Sequence, residues 1–165
     1  MAKGFTLYDP TADKAVSWPN GRIVASGTTS SIVAGVPTKE GSSGAVALMA
    51  DGDGTTSQKF SGIAKDTSTE TASAAGSVNV WMPLPGIVYS GFAKSAAAAD
   101  TAAEIAALQG KRVVFDLTSS DWTVDTAASN AATNGVCIVG GDYRVSVIYF
   151  VVSPQVTSFD NPTTA

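Results

Sequence analysis

The stretch Gly135-Val-Cys-Ile-Val-Gly-Gly-Asp-Tyr-Arg-Val-Ser-Val-Ile-Tyr-Phe-Val-Val152 decides how this chain folds. It holds two runs rich in β-branched and aromatic residues, 135–139 and 143–152, around Gly140-Gly141-Asp142. Glycine and aspartate tolerate the positive φ of a tight turn, so the stretch reads as a β-hairpin turning at 140–142. In the second run Ser146 is the last polar residue before Ser153. From Val147 onward both faces of the strand are therefore apolar, the pattern of a strand covered on both sides and central to the core.

Working upstream, Lys111 to Leu117 and Trp122-Thr123-Val124 form a second hairpin across the polar turn Thr118 to Asp121. Between Ser95 and Gly110 the chain turns alanine-rich, with Thr101-x-x-Glu104 as a capping box and Gly110 as a stop, which predicts one short helix facing the core through Ile105 and Leu108. Further back, Val78, Val80 and Met82 alternate with Ser77, Asn79 and Trp81, and Ile87, Tyr89 and Gly91 alternate with Val88, Ser90 and Phe92. These are two strands on either side of a corner forced by Pro83-Leu84-Pro85-Gly86. Shorter apolar pieces at Arg22–Ala25, Ser31–Ala34, Ala45–Met49 and Lys59–Ala64 are strand-sized, and Lys39–Gly44 and Asp51–Thr56 read as their linkers.

The ends differ. Residues 1–20 mix the anchors Phe5, Leu7, Tyr8 and Trp18 with Asp9-Pro10 and Trp18-Pro19, without a usable period, and read as an extended N-terminal arm. Residues 153–165 read as a C-terminal tail carrying Phe159, and 21–152 as the body. About ten strands and one helix in so short a chain predict an all-β fold: a small β-barrel or sandwich with one short helix and extended terminal arms. No fixed-period repeat argues for a solenoid or propeller.

Composition narrows the function. The chain has 165 residues, room for one domain, and its net charge of −4 without any run of three basic residues argues against nucleic acid as a partner. It contains no histidine, which removes the commonest general base, nucleophile partner and transition-metal ligand together. The one cysteine, Cys137, sits in Val136-Cys-Ile138-Val139, the setting of an inert core thiol. The longest apolar run, Val147 to Val152, is far short of a membrane span, and the opening Met-Ala-Lys-Gly-Phe has no signal-peptide core. The chain is thus expected to be made in the cytoplasm of its producer and to have no membrane partner.

The candidate chemical sites fail on spacing. Asp51-Gly52-Asp53-Gly54 invites a calcium reading, but as an EF-hand loop it puts Gly62 where the bidentate Glu belongs, and a hairpin turn explains it better. Asp116, Asp121 and Asp125 cluster in sequence without the constraint of a catalytic pair, and turn capping accounts for them. Neither Gly41-Ser-Ser-Gly44 nor Gly140-Gly141 is followed by the residues of a phosphate loop. No catalytic, cofactor or metal residue is assigned, and the chain is not expected to be an enzyme. Trp18, Trp81, Trp122, Tyr89 and Tyr143 could instead build a sugar-stacking platform. Trp81 lies opposite the Val78-Val80-Met82 face, so one face puts a large side chain outward, a sign of burial against a partner. Serine and threonine, 37 residues together, make a weakly charged surface that packs without desolvating ions.

Several segments carry a resemblance. Phe60-Ser-Gly-Ile-Ala-Lys-Asp66, Ala75-Gly-Ser-Val-Asn-Val80, Pro85-Gly-Ile-Val-Tyr89, Gly110-Lys-Arg-Val-Val-Phe-Asp-Leu117, Trp122-Thr-Val-Asp125 and the glycine-rich turn before Tyr143–Val152 look like small head proteins of tailed bacteriophages, over residues 20–152. That resemblance is one of strand rhythm and glycine placement. It implies a capsid decoration, or cement, protein on the exterior of the expanded virion capsid, often a homotrimer at local three-fold positions, whose partner is the major capsid protein. It also implies a β-tulip or small barrel body with an arm laid over the lattice. In this chain Phe5, Leu7, Tyr8 and Trp18 would be the gripping piece, with Trp81 and Phe159 as further interface residues, and deleting residues 1–18 is expected to leave a folded protein that no longer binds shells. The competing expectation is a carbohydrate- or surface-binding β-sandwich displayed on a virion or cell.

Overall fold

The structure, a computed structural model, describes residues 3–8, 15–27, 31–41 and 44–157. Its strands form three sheets wrapped around one core as a nearly closed barrel. The first sheet has the order β1 (Thr6–Leu7), β8 (Tyr89–Phe92), β13 (Val147–Val152), β12 (Val136–Asp142), β9 (Arg112–Val113). The second runs β6 (Gly76–Val78), β2 (Arg22–Val24), β4 (Val46–Leu48), β3 (Pro37–Glu40), β5 (Phe60–Ala64), β7 (Val80–Trp81). The third is the hairpin β10 (Phe115–Thr118) and β11 (Asp121–Val124).

Five aromatic rings, at least one from each sheet, make the centre. Phe115 of β10 lies 5.0 Å from Phe5, 5.8 Å from Phe60 and 5.8 Å from Phe150, and Tyr89 lies 5.7 Å from Phe150. The corner at Pro83–Gly86 carries the chain from the second sheet to the first between β7 and β8. Ile87, Tyr89 and Gly91 face the core while Phe92 faces out, as the alternation requires. The helix α1 (Ala102–Leu108) begins with the full reciprocal capping box between Thr101 and Glu104, ends before Gly110, and buries Ile105 and Leu108. In the β10–β11 hairpin Ser119 and Ser120 both take positive φ, so two serines occupy a turn that glycine and asparagine prefer.

Five readings of the sequence are corrected. Residues 140–142 are not the turn between the last two strands. They extend β12 past a bulge at Val139, and the chain reverses over Tyr143–Ser146, where Asp142 accepts from the Arg144 backbone and guanidinium. Glycine is needed at 141 because a Cβ there would stand 2.4 Å from the Val147 carbonyl oxygen on the paired strand, a backbone atom that cannot give way. Residues 31–34 form no strand. Ile32 is buried in a loop pinned by the Ser68 hydroxyl, which accepts from its N–H and donates to its C=O. Lys39 and Glu40 end strand β3 instead of starting a linker, because Asp53 and Arg22 neutralise them at 2.6 Å each.

The segment 51–56 holds a β-turn, closed by Asp53 N–H on Ala50 C=O, but it joins β4 to β5, which do not pair. It docks on β10 instead, through Gly52 N–H to Phe115 C=O and Phe115 N–H to Asp53 C=O. The fifth correction concerns the terminal arms. Residues 3–8 supply a strand and a core ring, and Trp18 N–H bonds Val80 C=O. At the other end Val156 is buried and Thr157 bridges Phe60, so the described part of the tail belongs to the body.

Candidate functional site

Strand β13 is central in its sheet, and its two apolar faces meet different fates. Ile148 and Phe150 are buried, whereas Val147, Tyr149 and Val151 on the other face stay partly exposed. The cross-strand register extends this outer face: Val147 stands opposite Phe92, and Tyr149 opposite Ser90, which in turn stands opposite Thr6. Tyr8 lays its ring 4.3 Å from that of Tyr149, and Val145, 55% exposed, projects from the turn beside them. Phe92 is 38% exposed with Lys3 Nζ 5.3 Å from its ring centroid. Thr6, Leu7, Tyr8, Val145, Val147 and Tyr149 line a depression of about 320 Å³. Partial burial, helped by Tyr8 and Asp142 nearby, raises the Tyr149 phenol pKa, so this face stays uncharged apart from its rim.

A second depression of about 450 Å³ lies on the opposite edge of β1, between Gly4–Leu7 and a wall of Ala34, Gly35, Ala64, Lys65 and Trp81. Lys65 Nζ caps the Trp81 ring at 4.6 Å. The edge strand β1 thus separates two partly apolar hollows.

The residues expected at an interface separate accordingly. Leu7, Tyr8 and Trp81 come together around β1. Phe5 does not: it is 1% exposed and packs against Phe115 and Phe150, so no partner reaches it. Trp18 is an internal anchor, its indole N–H donating to Ser61 C=O and its face covered by Arg22 at 4.5 Å. Phe159 lies outside the described residues. The sugar platform does not assemble from the rings expected to build it, because Trp122 and Tyr89 are core residues. Sequence reading passed over Phe92, Val145, Val147 and Tyr149 as a surface. Their signal was the two-faced apolar run itself, read as internal cover on both sides.

The aspartates form a structural network. Asp116 is buried and accepts from Lys94 Nζ at 2.7 Å and from the Thr118 and Thr123 hydroxyls, with Asp125 at 3.4 Å from the same lysine. Burial opposes the charge on Asp116, but the Lys94 ammonium and the two hydroxyls hold its carboxyl below the ordinary range. Asp121 accepts from Lys3 N–H. Each carboxylate is thereby occupied in holding the β10–β11 hairpin to the body. Among the described residues no group of three or more metal-ligating side chains occurs.

Comparison with protein-family models, with curated proteins and with solved structures returns no match. Function has to be read from the surface: an uncharged sheet face with an open edge strand beside it.

Proposed function

We propose that this chain is a structural virion protein that binds the outer surface of an expanded bacteriophage capsid and clamps neighbouring major-capsid subunits, as a trimer at local three-fold positions. One observation carries the reading. Strand β13 has the composition of a strand covered on both sides, yet the chain buries only Ile148 and Phe150, leaving Val147, Tyr149 and Val151 for cover from outside. The resemblance of residues 60–66, 75–80, 85–89 and 110–117 to phage head proteins points to the same partner.

The mechanism is desolvation multiplied by number. Docking the face around Val145, Val147 and Tyr149 removes apolar surface from water, its polar lining being the uncharged Thr6 and Ser90, while the Lys3 ammonium over Phe92 stays at the rim. Each contact is weak. Linked copies on one shell leave only when all their contacts are broken at once, and a released copy rebinds at high effective concentration, so a trimer raises the effective affinity.

Co-sedimentation with expanded shells that lack the protein tests this. The expected result is saturable binding at a fixed ratio to the major-capsid subunit and better shell survival on heating. Val145→Asp, on a side chain already in water, should change folding stability by no more than about 0.5 kcal/mol while abolishing co-sedimentation. Absence of binding by the unaltered protein, or full binding by the variant, overturns the proposal in its first or second part respectively.

A further inference from the structure

Among the described residues, the outward edges of the terminal strands are capped with one exception. β7 is covered by Val16 and Trp18, β6 by Thr69, and β9 by Asn130 and Asn134. β10 is covered by residues 51–53, and β11 by Lys3 and Lys94. β1 behaves differently. Tyr8 N–H bonds Val88 C=O, so in this antiparallel register Thr6 and Tyr8 turn their main-chain groups toward β8, while Phe5 and Leu7 turn theirs away. Phe5 N–H is taken by Gly35 C=O, but Leu7 N–H and C=O have no hydrogen-bond partner among the described residues.

These free groups face the 450 Å³ cleft. Ala64, Lys65 and Trp81 line the same cleft, so a segment laid along β1 would meet their side chains. The cleft admits one extended segment. We infer that β1 accepts a strand from its partner: an extended peptide that takes the Leu7 N–H and C=O, sets an aliphatic side chain against Leu7 and Trp81, and presents a carboxylate to Lys65. Resting on the proposed function, the donor is an extended segment of the major capsid protein, and this chain receives the strand instead of giving one.

Hydrogen exchange at single-residue resolution tests it on the full chain, free and bound to expanded shells. In the free protein the Leu7 amide exchanges quickly while those of Thr6 and Tyr8, turned toward β8, are protected; bound shells protect Leu7. Two variants separate backbone from side chain. Leu7→Ala keeps the N–H and loses the side chain, while Leu7→Pro also deletes the outward N–H without touching the β8 ladder. Leu7→Pro should bind shells about tenfold more weakly than Leu7→Ala. Shell binding with unchanged Leu7 exchange, or equal binding by the two variants, overturns strand addition and leaves the capsid reading standing. If shells do not bind, but a blocked six-residue peptide of alternating valine and threonine with one glutamate protects Leu7, the capsid reading falls and the acceptor edge stands. Protection by neither overturns both.

Discussion

Replacing Phe5 by alanine separates a core residue from a gripping arm. The ring is 1% exposed and lies 5.0 Å from Phe115 and 5.3 Å from Phe150, the latter edge-to-face. Emptying such a site costs about 3–5 kcal/mol, because apolar transfer energy is lost and a tightly packed surround refills only part of the hole. The two ring contacts place Phe5 in the middle of that range, near 4 kcal/mol. For a chain of this size each kcal/mol lowers the melting temperature by roughly 2–4 °C, so the expected drop is about 8–16 °C. Thermal and urea unfolding of Phe5→Ala, with Phe5→Leu as a volume-sparing control that recovers most of the loss, measure it. A gripping arm makes the opposite forecast: unchanged melting and lost shell binding. A loss of less than about 1 kcal/mol would refute the packing described here. By the same reasoning, deleting residues 1–18 removes β1, a core ring and the Trp18 anchor, and should leave an unfolded chain.

Gly91→Ala should destabilise as strongly as Phe5→Ala, since the added Cβ would stand 2.3 Å from the Phe5 ring; combining the two substitutions should cost less than their sum, which denaturant melts of the double variant would show. Replacing Ser119-Ser120 by Asn-Gly, two residues that accept the positive φ already present, should raise stability by about 1 kcal/mol in urea unfolding. Glu70 is buried: burial favours its neutral form, but the Ser31 and Ser68 hydroxyls and the Ser31 amide outweigh that and bring its pKa from 4.5 down to about 2. A carboxyl with a depressed folded-state pKa stabilises above its unfolded value, and that contribution is lost as the pH falls from about 4.5 toward 2. Glu70→Gln should flatten this part of the stability profile, and an unchanged acid limb would show that Asp116 and other carboxylates dominate it.

Much of the fold was legible because its signals are local. Thr101 and Glu104 cap a helix through contacts within one turn, Pro83–Gly86 forbids a continuous ladder wherever it occurs, and the alternation of Ile87 to Phe92 needs only a sheet with one dry face. Strand β3 was hidden because Pro37-Thr-Lys-Glu40 resembles a linker until Arg22 and Asp53 arrive from other strands to neutralise it. The turn after β12 slipped because Gly140-Gly141-Asp142 reads as a reversal of the chain, whereas Gly141 serves the close approach of the Val147 carbonyl within the ladder.

By itself the sequence determined that this is a small all-β domain with one short helix, and that a strand near its end is apolar on both faces. Those properties follow from spacing between neighbours, which any fold must respect. Tertiary structure decided where the arms belong and which surface is left over. Phe5 is a core residue only because Gly91 leaves it room, and Val147 and Tyr149 are surface only because the chain has already spent its covering elements on the other face. Such facts depend on contacts between residues far apart in the chain, and local spacing does not encode them.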